Sequence, residues 1–182
     1  MSDRINLCDL PYAALERFAV EELGFKKFRA GQIWQWIWAK NVSGFESMTD
    51  LSQADRAKLE ERALIHWPSI ADVRVSSDGT TKFLLELADG ELVETVLIPS
   101  DAPKRPNDIT VRMTQCVSTQ VGCAMACSFC STGRLGFKRN MTMGEILGQV
   151  QVARRYVNDT QPERPIIRNL VYMGMGEPLL NL

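Results

Sequence analysis

The sequence is poor in histidine. A single residue, His66, stands among 182, so no His-rich metal site is expected within it. Long apolar runs are missing too: none approaches the roughly 18 residues that a membrane-spanning helix needs. The opening Met1-Ser2-Asp3-Arg4 carries no signal-peptide core. A soluble, cytoplasmic protein with no membrane partner is therefore expected. Internal repeats and low-complexity tracts are also absent. The composition, 45% apolar and 24% charged, is that of a globular chain and excludes disordered and fibrous classes.

What is present is unevenly distributed. The net charge of −1 hides a split: residues 1–100 hold 11 Lys and Arg against 16 Asp and Glu, whereas residues 101–168 hold 10 against 5. A basic second half is compatible with a polyanionic partner without demanding one. Four of the five cysteines lie between positions 116 and 130, leaving only Cys8 outside. Without a secretion signal, such clustering points to metal or redox chemistry rather than a disulfide framework.

The first 65 residues read as three short helices. One follows Leu10-Pro11 and stops at Gly24, with Leu15, Phe18, Ala19 and Leu23 at helical spacing. The second spans about Phe28 to Lys40, with Ile33, Trp36 and Ile37 on one face and Trp34 and Trp38 on another. That second face is expected to pack against the barrel, with stacking on RNA bases as the alternative. The third covers Asp50 to Leu64, with Leu51, Leu59 and Ala63 inward. From Ala71 the period becomes that of strands. Two turns, Asp78-Gly79 and Asp89-Gly90, separate β-rich runs and predict an antiparallel meander ending in Leu92–Ile98. The segment from Pro99 to Asp108 has three prolines in eight residues and reads as a linker.

A βα pattern follows. Thr110–Val117 reads as a strand, 118–140 as a loop, and a helix starts at Thr142, where Thr142 and Glu145 fit a capping box. Its expected inner stripe is Ile146, Leu147, Val150, Ala153 and Val157. Arg168–Met173 reads as a second strand, ending in Gly174-Met-Gly-Glu-Pro178. Strand, crossover helix and strand imply parallel pairing.

The chemistry centres on Cys123-Ala-Met-Ala-Cys127-Ser-Phe-Cys130, a Cys-x3-Cys-x2-Cys array. Three thiolates on one loop suit an iron–sulfur cluster, with one iron left open, or zinc if Cys116 serves as a fourth ligand. Free thiols are the remaining alternative. Basic residues follow the array: Arg134, Lys138 and Arg139, then Arg154-Arg155 on the next helix. They could form a rim for RNA phosphates or be ordinary solvated charges.

Cys-x3-Cys-x2-Cys is the signature of the radical S-adenosylmethionine (SAM) superfamily. The wider blocks Gln115–Cys123, Cys127–Gly133 and Met173–Asn181 resemble one subfamily, the dual-specificity adenine-C2 methyltransferases of 23S ribosomal RNA and transfer RNA. Val93–Pro99 and Phe28–Trp34 are similar to the same family, so the resemblance covers nearly the whole chain. A relative that methylates adenine C8 and confers antibiotic resistance shares the cysteine and Gly-Glu-Pro motifs. A non-enzymatic zinc-binding RNA module on Cys116, Cys123, Cys127 and Cys130 is the competing class.

The resemblance implies a role for each matching residue. Cys123, Cys127 and Cys130 match the ligands of a [4Fe–4S] cluster whose open iron chelates SAM, which is cleaved to a 5′-deoxyadenosyl radical. Phe129 would shield the cluster. Gly174, Gly176 and Glu177 match the Gly-Glu-Pro turn, where Gly176 and Glu177 would bind SAM. Glu94 matches the acceptor of the C2 proton. Cys116 matches the cysteine that resolves a protein–RNA linkage and ends in a disulfide. The methyl-carrying cysteine of the family is expected beyond Leu182, and Cys8 does not match it. The implied partners are 23S rRNA, tRNA and a flavodoxin-type electron donor, with the protein a monomer.

The expected fold class is α/β: a small N-terminal helical domain and β-meander, then the first βα units of a partial (βα)6 radical-SAM barrel, truncated. The expected domains are 1–70 (helical accessory), 71–106 (meander and Pro-rich linker) and 107–182 (start of the radical-SAM core).

Overall fold

The computed structural model describes residues 4–100, 112–161 and 166–181. Thr110, Val111 and most of the Pro-rich segment lie outside them. The chain divides into two compact units, Met1–Trp67 with Met143–Glu145, and Pro68–Thr142 with Ile146–Leu182.

The first unit is helical, as its periodicity predicts, and closed by a short strand pair that periodicity cannot reveal. Strand β1 (Ile5–Asn6) pairs in parallel with β2 (Ala63–Leu64), joining the start of the unit to its end. Helix α1 (Tyr12–Arg17) runs on through a wider π-type turn, Phe18–Glu22. Helix α2 spans Phe28–Trp38 and α3 spans Gln53–Arg62. Ser52 caps α3 by accepting the Asp55 N–H at 3.1 Å. Leu7, Leu15, Ile33, Ile37, Met48 and Leu59 are fully buried.

The tryptophans of α2 divide differently from the expected faces. Trp36 does not share the depth of Ile33 and Ile37. It is half-buried, and its indole N–H donates to Asp50 Oδ1 at 2.6 Å. Trp34 and Trp38 instead belong to a ladder of rings, Tyr12–Trp34–Trp38–Trp67, with successive centroids 5.5 Å apart. That spacing is ordinary aromatic packing.

The second unit is built on a five-stranded sheet in the order β3-β4-β5-β6-β9. Strands β3 (Ser69–Val75), β4 (Thr81–Glu86) and β5 (Leu92–Pro99) form the expected meander. Gly79 and Gly90 supply the positive φ of its two turns. Strand β6 (Arg112–Cys116) adds to β5 antiparallel, and β9 (Ile166–Val171) adds to β6 in parallel. Meander and core strands therefore share one sheet. The segment read as one long loop contains a hairpin, β7 (Gln120–Gly122) against β8 (Phe137–Asn140), with a single helical turn, α4 (Ser131–Arg134), between them.

Helix α5 (Met143–Thr160) is the crossover between β6 and β9. Its buried side chains include Gln149, Gln151, Val152, Ala153 and Val157. Ile146, Leu147 and Val150 are only half-buried, so the inner stripe is rotated from the expected one and admits two glutamines. Tyr156 meets Phe83 of β4 edge-to-face at 5.0 Å. The covered face of the sheet carries Phe83, Leu85, Val93, Leu97, Met113 and Gln115, all buried. The opposite face carries Lys82, Glu94, Val96 and Cys116, each half-buried.

Candidate functional site

Glu94 and Cys116 lie on neighbouring strands and on the same half-open face. Val96 is the register partner of Cys116, and Glu94 stands two residues before Val96. That is the diagonal relation of an antiparallel pair, with Cα atoms roughly 7–8 Å apart. Lys82 of β4 holds one Glu94 oxygen at 2.8 Å, both side chains being partly exposed. Burial raises the Cys116 thiol above its ordinary value, only partly offset by the Met173 N–H. Cys116 is thus a thiol near neutral pH, which opposes the thiolate that nucleophilic attack needs.

The chain after β9 folds back over the end of β6. Gly174 N–H donates to Val117 O at 3.2 Å, and Thr119 N–H donates to Met175 O at 2.8 Å. Ser118 Oγ donates to the Glu94 carbonyl at 2.6 Å and accepts the Met175 N–H at 2.8 Å, tying β5 to the returning loop. The glycines are required by this proximity. A Cβ on Gly174 would lie 2.7 Å from Ser118 Oγ, and one on Gly176, where φ is +96°, would lie 2.6 Å from the Gln120 Cβ. Glu177 caps the following turn, its Oε1 accepting the Leu179 N–H at 3.0 Å.

The three-cysteine loop springs from the β7–β8 hairpin. Cys123 N–H donates to Gly136 O at 3.0 Å across its neck. Cys123, Cys127 and Cys130 are each half-buried, and all five cysteines are free. Among the described residues no three His, Cys, Asp or Glu side chains are gathered closely enough to hold a metal ion, these thiols included. They share a loop without converging. The N–H groups of Gly133 and Thr132 hold the Cys130 thiol below its ordinary value, the direction that favours metal ligation. Three free thiols on one loop, one already eased toward thiolate, fit a thiolate-bound iron–sulfur cluster as a donor set.

Phe129, the residue expected to shield a cluster, is 89% exposed. The basic rim is partly spent. Lys138 pairs with Glu91 at 2.6 Å and Arg139 with Asp89 at 2.7 Å, so both cations clamp β8 to the β4–β5 turn. Arg154 donates to Gln151 Oε1 at 3.0 Å. Arg134 is exposed.

The sequence reading overlooked the polar side chains that hold this arrangement. Ser118, Gln115, Gln120 and Gln149 are fully buried. Gln149 Nε2 donates to Ser118 O at 2.8 Å, and its Oε1 accepts the Ser118 N–H at 2.9 Å. Gln115 Nε2 donates to Thr95 Oγ1 and to Gln149 O, each at 3.0 Å. Asn181 Nδ2 donates to Thr119 O at 2.8 Å and Met141 O at 2.9 Å. One signal was available: Gln149 sits three residues after Ile146 and four before Ala153, a polar residue on an apolar stripe.

Comparison with known proteins gives consistent results. Residues 5–65 match the family model described as the ribosomal RNA large subunit methyltransferase N-terminal domain. A protein named dual-specificity RNA methyltransferase RlmN from Nitratidesulfovibrio vulgaris is 60% identical over 182 residues, all of this chain and 48% of that relative. Its namesake from Lawsonia intracellularis is 54% identical, over 98% of this chain and 49% of the relative. The crystal structure of a radical SAM methyltransferase from Sphaerobacter thermophilus superposes with a TM-score of 0.79 at 37% identity, covering 97% of this chain and 48% of that one. The chain spans about half the length of these relatives and is similar to their N-terminal portion.

Proposed function

We propose that this chain, the counterpart of the N-terminal half of the RlmN relatives, belongs to a radical-SAM enzyme that methylates adenine C2 in 23S rRNA and in tRNA. The observation that carries the reading is the meeting of Glu94, Cys116 and the Gly174–Glu177 loop where β5, β6 and β9 approach one another. Carboxyl ends of parallel strands are where βα folds place their ligands. An external one-electron donor of flavodoxin type serves the enzyme, which acts as a cytoplasmic monomer.

Cys123, Cys127 and Cys130 hold the cluster in this reading. When bound, a [4Fe–4S] cluster with SAM supplies the electron and the radical chemistry. The chain's own residues bind, orient and move protons. Gly174 and Gly176 let the backbone approach SAM, and the Glu177 carboxylate faces its ammonium group. Glu94 accepts the proton lost from adenine, with Lys82 holding its carboxylate in place on the strand. Cys116 acts later as the resolving thiol. Its raised pKa keeps it protonated until a base takes the proton.

Anaerobic reconstitution with iron and sulfide tests the proposal. The expected result is a brown protein with about four irons per chain, abolished by replacing any of Cys123, Cys127 or Cys130 with Ala. Stoichiometric zinc with no iron uptake, and protection of Cys116 together with the three loop thiols, would establish the zinc module instead. In RNA digests after turnover by the full-length enzyme, 2-methyladenosine is expected, whereas the 182-residue chain alone, without the methyl-carrying cysteine, is expected to be inactive. 8-Methyladenosine would assign the C8 reaction.

A further inference from the structure

Gln120 stands on β7, three residues before Cys123, and its side chain is fully buried. Its Oε1 accepts two main-chain N–H groups from opposite sides of the site. One is Ala124, next to the first loop thiol, at 3.4 Å; the other is Glu177, the acid of the Gly-Glu-Pro loop, at 3.1 Å. Nε2 donates to Asn140 Oδ1 at 2.8 Å, and Asn140 Nδ2 donates to Leu180 O at 3.0 Å. The Gln120 main-chain N–H reaches Met175 O at 3.3 Å. One buried amide thus touches two loops separated by more than fifty residues of sequence and fixes the spacing between them.

The geometry points to Gln120 as the residue that holds the three-thiol loop and the Gly-Glu-Pro loop at one working distance, so that a SAM molecule meets both at once. The inference rests on the proposed function and deepens it. Gln120 is a positioning residue. A ligand that must bridge two loops binds less tightly when those loops move independently, because binding then has to order them. An apolar side chain of similar size removes the shared acceptor of two part-buried N–H groups, so the loops separate as water takes its place.

The experiment compares the reconstituted 182-residue chain with three variants, Gln120→Leu, Gln120→Glu and Asn140→Ala. Iron per chain, thermal melting and the SAM dissociation constant from equilibrium dialysis are read for each. Gln120→Leu is expected to retain iron while its SAM affinity falls about tenfold, the scale of one net hydrogen bond. Gln120→Glu keeps an oxygen acceptor and is expected to recover most of that affinity. Asn140→Ala, at an exposed position, frees the amide to turn, and is expected to weaken SAM binding by a smaller factor even if Gln120→Leu does not fold. Wild-type SAM affinity in both Gln120→Leu and Asn140→Ala overturns the inference alone. Iron loss in step with SAM loss overturns it too, since that is a general structural effect. A wild-type chain that takes up no iron removes the functional reading beneath it.

Discussion

Gln149 closes both hydrogen bonds of its side-chain amide on the main chain of one residue, Ser118, at 2.8 and 2.9 Å. This pins the chain just after β6, and Ser118 passes the constraint on to Glu94 and Met175. Replacing Gln149 with Leu leaves a buried N–H and carbonyl unpaired. A loss of about 2–5 kcal/mol in unfolding free energy is expected from two such groups. Urea unfolding of the whole chain measures it, and a loss under about 1 kcal/mol would show that the clamp carries no weight.

Gly176 and Gly90 both have positive φ, +96° and +83°, but only Gly176 is crowded. Gly90→Ala is expected to cost about 1–2 kcal/mol, the conformational penalty alone. Gly176→Ala adds the collision with Gln120 and is expected to cost about 2–5 kcal/mol. Equal losses in the two variants would mean that the packing against Gln120 is loose.

The cysteines should alkylate in order. Cys130 is held below the ordinary thiol value by the Gly133 and Thr132 N–H groups, whereas burial raises Cys116 and pushes Cys8 up to about 12. In an iodoacetamide pulse near neutral pH, peptide mass spectrometry is expected to find Cys130 modified before Cys116. Cys8 should react only on unfolding. Modification of Cys8 at the Cys130 rate would contradict its burial.

The Asp89–Arg139 pair makes the clamp on β8 sensitive to pH. Partial burial works against the Asp89 carboxylate, but the Glu91 N–H and the Arg139 guanidinium outweigh it and hold the pKa below the ordinary value. Stability from this source is therefore present above the unfolded carboxylate pKa and is lost as pH falls through the lower folded one. The melting temperature of wild type is expected to exceed that of Asp89→Asn at neutral pH, with the gap closing in acid. A gap that does not narrow would assign the effect to something other than ionisation.

Much of this molecule is legible in its sequence, for identifiable reasons. The meander announces itself through two Asp-Gly turns, and the parallel pair β6–β9 through the strand–helix–strand order, because both depend on local periodicity. The thiol loop and the Gly-Glu-Pro turn stand out by residue type. Tertiary neighbours are hidden. No pattern says that β5 pairs with β6, that Gln120 reaches Glu177, or that Lys138 and Arg139 are spent on Glu91 and Asp89. Those contacts join segments some twenty to sixty residues apart, and polar side chains give no periodic sign of burial. Trp36 was misread because its face was judged by hydrophobicity, while its indole N–H sought Asp50.

The pairing of β5 with β6 has a consequence for modular engineering. Glu94 and Cys116 are neighbours only because the sheet runs without interruption from the meander into the core strands. A chimera joined at the proline-rich segment would take the two strands from different parents, asking unmatched edges to recreate a register that places both residues on one face. A junction at Trp67–Pro68, the border between the two compact units, leaves that register within one parent. The exchangeable part is the helical unit, and the meander travels with the thiols.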